Sequence, residues 1–158
     1  MSNQVQLAEL KGIREYFNRS TACLDESDSG ACPAQGMYTA AQQVAHVART
    51  IDWFVDGIFG DNGFDMDFAK HEEEAREVTS LSAARNWFER SITNALARIE
   101  AASAEEMAEC LPADSLLGPV PRAYALGALS DHTAHHRGAL TVYARLQGKV
   151  PAMPYMDT

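Results

Sequence analysis

Apolar side chains recur every three or four residues along four long segments of the chain, at residues 3–24, 39–60, 80–102 and 122–147. This spacing places them on one face of an α-helix, and we find no convincing alternation of apolar and polar residues of the kind that a β-strand shows. Local signals agree with these bounds, because Thr39 is a suitable N-cap and Gly148 is suited to end the last helix. The pattern therefore predicts four amphipathic helices.

The apolar faces of the four segments are the predicted core. They comprise Leu10, Ile13, Phe17, Thr21 and Leu24; Val44, Val47, Ile51, Phe54, Val55 and Ile58; Leu81, Ala84, Phe88, Ile92, Ala95 and Ile99; and Ala125, Leu129, His132, His136, Leu140 and Tyr143. Four long helices with long connections are typical of a four-helix bundle, so we predict an all-α fold with residues 1–158 as a single domain. Two short helices are expected in the connections: a charged surface helix at residues 70–76, and one opened by Ser103-Ala104-Glu105-Glu106, which has capping-box spacing.

The charge balance narrows the classes of partner. The chain has 158 residues with 22 acidic and 13 basic side chains, which gives a net charge of −9. Binding to nucleic acid or to anionic lipid needs clustered basic residues, which this sequence lacks, so we expect neither partner. The N-terminus has no basic flank followed by an apolar run, and a cytoplasmic location is expected. In that compartment Cys23, Cys32 and Cys110 are expected to be free thiols.

Two histidines lie four residues apart within the apolar face of the last segment. His132 and His136 are one helical turn apart, so both imidazoles can point at one shared position. An unpaired buried polar group costs roughly 1–3 kcal/mol. A bound metal ion removes that cost, and the spacing suits joint coordination. We therefore favour a metal site over the alternative, two core histidines that bond to the backbone or to neighbouring side chains.

The pattern places the other three histidines less clearly. His135 lies about 100° around the helix from His136 and is expected to face solvent. His71 lies in a charged segment and is interpreted as a surface residue. His46 lies beside the main apolar face of its helix, so periodicity leaves open whether it reaches the site. Trp53 shares that side of the helix and is a candidate wall for a pocket.

The last helix also carries a family resemblance. The segment Asp131-His132-Thr133-Ala134-His135-His136-Arg137-Gly138, which continues to Pro151, together with Val44-Ala45-His46-Val47-Ala48 and Trp53-Phe54, resembles the DinB/YfiT-like superfamily. These small bacterial four-helix-bundle metalloproteins have a histidine midway along the second helix and a His-x-x-x-His pair near the start of the fourth. The resemblance implies that His46, His132 and His136 bind a divalent metal. Ala139 stands where the family usually has glutamine, a departure that leaves the three ligand positions intact.

The resemblance also implies a chemistry. Three histidine ligands leave an open coordination position, which is typical of a catalytic site, and zinc, nickel and iron all accept imidazole. Several relatives are similar to thiol-dependent S-transferases or isomerases that use bacillithiol, mycothiol or glutathione. The family thus favours a metal-dependent thiol S-transferase that takes a low-molecular-weight thiol and a small-molecule electrophile. A homodimer is common in the family and is expected here.

Two other functions stay open at this point. The site would also suit a metal-dependent hydrolase, in which the metal lowers the pKa of a bound water to about 7. Alternatively, the metal only stabilises the bundle of a non-catalytic binding or dimerisation protein. Two side chains near the site are candidates for catalysis: Tyr143 for a hydrogen bond to substrate, and Arg49 for a carboxylate. A packing tyrosine and a solvated arginine are the simpler interpretations of the same two residues.

Overall fold

A computed structural model describes residues 3–156, which form helices and connecting loops. The helices are α1 (Gln4–Thr21), α2 (Ala40–Phe59), α3 (Phe68–Arg76), α4 (Leu81–Ala101), α5 (Ala104–Ala108), α6 (Arg122–Ala125) and α7 (Gly127–Leu146), with a short 3-10 turn at Glu26–Asp28. The long helices α1 and α2 each pack against both α4 and α7, so these four form a closed bundle. The all-α, four-helix-bundle prediction is confirmed. No helix in the described range is long and apolar enough to cross a membrane.

The predicted apolar faces form the core of the bundle. Phe17 of α1 and Phe88 of α4 are fully buried, and their rings stack with centroids 4.4 Å apart. Val47 of α2 and Leu140 of α7 are also fully buried. Burying one such side chain contributes about 1.5–3 kcal/mol, so the four faces together fix the helices against one another. This packing sets which face of α2 meets α7.

Short polar side chains start the helices where the sequence predicts. At α2, the Thr39 hydroxyl accepts from the N–H of Gln42 at 3.3 Å, and the Gln42 side chain accepts from the N–H of Thr39 at 2.9 Å, a complete capping box. At α5, Ser103 accepts from the N–H of Glu106 at 3.1 Å. The Glu106 carboxylate pairs with Arg98 instead of closing that box. The box at Thr39 fixes where α2 begins, and thereby the height of the residues on its first turns.

The last predicted helix is divided in two. Leu126 separates α6 from α7, and the N–H of Leu129 bonds to the Leu126 carbonyl at 3.1 Å, a tighter turn than that of an α-helix. Gly127, a weak helix former, lies at this junction. The first helix also ends earlier than predicted, at Thr21, where the guanidinium of Arg85 donates to the Thr21 carbonyl at 2.7 Å. A carbonyl at a helix end is satisfied in this way.

The short helix α3 packs on α2 rather than lying free at the surface. His71 is only 9% exposed and Ala75 is fully buried, because these two residues share the face of α3 that meets α2. The interpretation of His71 as a surface residue is therefore wrong. That interpretation rested on the high charge of the segment, but most of the acidic side chains of α3 lie on its outer face and leave the inner face free to pack.

Gly57 on α2 leaves space for the ring of Phe64. A Cβ at residue 57 would lie 2.1 Å from Cδ1 of Phe64, whose ring packs 4.9 Å from that of Trp53. We expect Gly57→Ala to lower the free energy of unfolding by about 1–3 kcal/mol through overpacking, as measured by urea denaturation. Gly12→Ala on α1 is the matched control, because its Cβ would meet Tyr16 at an ordinary 3.5 Å. Equal stability of the two variants would contradict this account.

Candidate metal centre

Three histidines from two long helices converge at one point of the bundle. His46 lies on α2, and His132 and His136 lie one turn apart on α7. One ring nitrogen of each lies within 4.8 Å of those of the other two, and the Nε2 atoms of His132 and His136 are 3.0 Å apart. The packing of α2 against α7 thus places His46, whose position periodicity left open, beside His132 and His136. We call these residues the histidine triad.

The geometry of the histidine triad fits a divalent metal ion. A tetrahedral zinc ion with Zn–N bonds of about 2.0–2.1 Å holds its nitrogen ligands about 3.3 Å apart. The Nε2 separation of His132 and His136 is 3.0 Å, close to that value. The ring of His46 lies 5.2 Å from that of His132 and 4.7 Å from that of His136, measured between centroids. With one nitrogen of each ring within 4.8 Å of the other two, the three residues are close enough to share one ion.

The surroundings keep the three imidazoles neutral at pH 7. Loss of hydration is the main cause and repulsion between neighbouring imidazolium charges the second, and together they lower the pKa of His132 to about 4 and that of His136 to about 3. Burial also lowers the pKa of His46, although the nearby Glu72 carboxylate opposes the shift. A neutral imidazole is the form that binds a metal, so these residues need not release a proton first.

A buried glutamine supports one member of the histidine triad. Gln43 is 6% exposed, and its side-chain amide nitrogen lies 2.5 Å from Nδ1 of His136. When Nε2 of a histidine binds a metal, Nδ1 carries the proton and donates it to an acceptor. A 180° rotation of the Gln43 amide exchanges its nitrogen and oxygen, so that the oxygen accepts that proton. Sequence reasoning missed this residue, and its signal was a polar side chain within the apolar face of α2, three positions before His46.

A cavity of about 290 Å³ adjoins the histidine triad. Its wall is formed by Tyr38, His46, Arg49, Thr50, Trp53, Phe54, Phe68, His71, Glu72 and His132. Because His46 and His132 belong to both the histidine triad and this wall, a small molecule in the cavity lies beside the triad. The wall is largely aromatic. We call this cavity the triad cavity.

The structure places the other predicted site residues in different surroundings. Trp53 and Arg49 both line the triad cavity. Tyr143 does not, and its hydroxyl donates to the carbonyl of Tyr38 at 2.8 Å. His135 is exposed, as expected from its position on α7.

Several lining residues come from the connections between the long helices. Tyr38 precedes the N-cap of α2, and its ring stacks on His46 with centroids 5.2 Å apart. The guanidinium carbon of Arg76 lies 4.6 Å from the centroid of the same Tyr38 ring. Glu72 and His71 reach the cavity because α3 folds back onto α2. Only this tertiary contact identifies them.

A four-helix bundle whose second and fourth long helices bring three histidines together defines a class of helical proteins with a candidate metal site. The chain belongs to the DinB superfamily, whose sequence pattern matches residues 9–140. The crystal structure of a DinB-like protein from Bacillus cereus ATCC 10987 has 18% sequence identity and a TM-score of 0.76, over 95% of each chain, so the two share a fold. No curated protein matches the sequence.

The lowered histidine pKa values predict how the metal-free chain responds to acid. Unfolded histidine titrates near 6.5, whereas His132 and His136 titrate at about 4 and about 3 in the fold. Between these values the unfolded chain binds more protons, so the free energy of unfolding falls as the pH drops below 6.5. Urea denaturation between pH 7.5 and 4.5 in the presence of a chelator measures the slope.

The control for this titration is the double variant His132→Leu/His136→Leu. Carboxylates also titrate at low pH, so the difference between the two slopes isolates the histidines. We expect a shallower loss of stability in the double variant. The same slope in both proteins would contradict the lowered pKa values.

Proposed function

We propose that this protein is a metal-dependent transferase that joins a low-molecular-weight thiol to a small electrophile. The observation that carries the proposal is the histidine triad opening onto a small, largely aromatic cavity. Zinc, nickel and iron are the candidate metals, since each accepts imidazole ligands. Membership of the DinB superfamily supports the metal, and the cavity supports a small-molecule substrate.

His46, His132 and His136 would hold a divalent ion with one position open, and the charge of that ion would lower the pKa of a thiol and so favour its nucleophilic form at neutral pH. In the transfer, the sulfur forms a bond to an electrophilic carbon of the second substrate, and the leaving group departs with its bonding electron pair. The carboxylate of Glu72 lines the triad cavity and offers an acceptor for the proton that the thiol loses. The aromatic side chains of Trp53, Phe54 and Phe68 exclude water from the second substrate.

The arrangement favours this function over a purely structural metal. Structural zinc sites are typically closed by four protein ligands. Within residues 3–156, the group of side chains able to hold an ion has three members, His46, His132 and His136. Two of these three border a cavity large enough for a small molecule. A metal that only linked α2 to α7 would not need a cavity beside it.

Thiol-dependent turnover tests the proposal. The protein, loaded with zinc, nickel or iron, is mixed with glutathione, bacillithiol or mycothiol and with 1-chloro-2,4-dinitrobenzene as a general electrophile. We expect conjugation above the uncatalysed rate with at least one metal and thiol, and its loss in His132→Ala. His135→Ala is the matched control and should retain the rate, because its ring is exposed.

Other outcomes decide between the alternatives. Equal rates with and without metal would contradict the proposed function. Hydrolysis of an activated ester that needs the metal but no thiol would instead indicate a hydrolase. Metal that raises the midpoint of thermal unfolding, with no turnover of either kind, would indicate the non-catalytic protein.

Gln43 gives a prediction that does not depend on the substrate. Replacing it by leucine removes the side-chain amide beside Nδ1 of His136, and loss of such a hydrogen-bond partner typically weakens metal binding by about 10–100-fold. We expect this loss in Gln43→Leu and not in Gln43→Glu, as measured by zinc competition with a chromogenic chelator. Gln42→Leu is the control, because the Gln42 amide bonds to Thr39 and to the Arg76 carbonyl. An equal loss in Gln42→Leu would show a general effect of stability.

A further inference from the structure

The arginine in the wall of the triad cavity is held in place with donors to spare. Nε of Arg49 donates to the Glu74 carboxylate at 2.5 Å, and one N–H of Nη2 donates to Nδ1 of His71 at 2.5 Å. Because a guanidinium only donates, Nδ1 of His71 accepts, and its Nε2–H donates to the Asp65 carbonyl at 3.1 Å. No partner within the described part of the chain bonds to Nη1 of Arg49. The guanidinium is thus fixed while several of its five N–H groups are unused.

The carboxylate that pairs with Arg49, that of Glu74, is not among the groups that line the triad cavity. Glu74 lines a neighbouring cavity of about 420 Å³, whose wall Arg49 shares. The carboxylate that lines the triad cavity, Glu72, pairs with Arg76 at 2.8 Å. The Arg49 side chain is 13% exposed, so water screens it weakly. The wall of the triad cavity therefore combines aromatic side chains with one guanidinium and one carboxylate, and the ion-pair partner of each charge lies outside the wall.

The apolar part of the cavity wall is aromatic, which suits contact with a flat group. The Trp53 ring packs 4.9 Å from that of Phe64 and 5.8 Å from that of Phe68, and its Nε1–H donates to the Asp65 carbonyl at 2.7 Å. Its polar edge is thus satisfied, which leaves ring surface for the cavity. A volume of about 290 Å³ is at the small end of ligand pockets.

We propose that the triad cavity binds a small molecule with a flat apolar body and a carboxylate, and that Arg49 binds the carboxylate. Guanidinium and carboxylate pair through two parallel hydrogen bonds, which explains the use of arginine with free donors at this place. The apolar body then lies between Arg49 and the histidine triad. This inference rests on the proposed function, since it names the chemical class of the electrophilic substrate.

Calorimetric titration with benzoate and with benzamide, which has the same shape and no charge, tests the inference. In the metal-free protein we expect benzoate to bind about tenfold or more tightly than benzamide, since a hydrogen bond to a charged group contributes about 1.5–3 kcal/mol. Arg49→Gln should abolish the preference and leave benzamide binding unchanged. Arg49→Lys keeps the charge without the planar fork, and an intermediate preference is expected.

Arg14→Gln is the matched control, because Arg14 pairs with Glu89 on a different face of the bundle. Thermal unfolding of each variant shows whether it is folded. Equal affinity for the two probes, unchanged benzoate binding in Arg49→Gln, or no binding of either probe at millimolar concentration would overturn the inference. Zinc content measured on the same variants reports separately on the histidine triad, so loss of the metal site and loss of the carboxylate site are distinguishable.

Discussion

The candidate site depends on the packing of α2 against α7. These helices are far apart in sequence, and each contributes residues that have no role without the other. His46 alone is a half-buried imidazole, and His132 with His136 is a pair on one turn of a helix. The apolar residues on the same faces, such as Val47 and Leu140, hold the two helices together and so place the three nitrogens within 4.8 Å of one another. The energy that orders the site is therefore hydrophobic, although the site itself is polar.

A second layer of contacts gives this meeting point its shape. Gln43 fixes the ring of His136 from within the core, and α3 folds over α2 to complete the triad cavity. The Asp65 carbonyl accepts hydrogen bonds from both Trp53 and His71, so one loop atom ties the aromatic wall to the residue that holds Arg49. The cavity wall thus combines the long helices with two of their connections.

The helices and the core were accessible from the sequence because they follow from local patterns. Apolar spacing identified Phe88 and Ile92 as core and His132 and His136 as neighbours on the inner face of α7, and residue type identified Thr39 as the N-cap of α2. The phase of α7 also placed His135 outside. A helical period of 3.6 residues is enough for each of these inferences, since none needs knowledge of a second helix.

The rest of the site was not accessible from periodicity. His46 lies at the margin of its helical face, so only the family resemblance pointed to it. His71 was assigned to the surface because its neighbours are charged, yet the fold of α3 onto α2 buries it. Tyr38 and Glu72 come from a loop and a short helix whose placement depends on tertiary contacts. Gln43 is a polar residue within an apolar face, but its contact with His136 could be identified only once the position of α7 was known.

Elemental analysis of the purified, untagged protein, loaded with zinc, nickel or iron and then desalted, shows whether the histidine triad binds a metal ion. We expect about one metal ion per chain in the parent and in His135→Ala, and its loss in His46→Ala, His132→Ala and His136→Ala. A parent that retains no metal after incubation with all three ions would contradict this expectation. So would a His135→Ala variant that loses the metal while His132→Ala keeps it, because the ligands would then lie on a different face of α7.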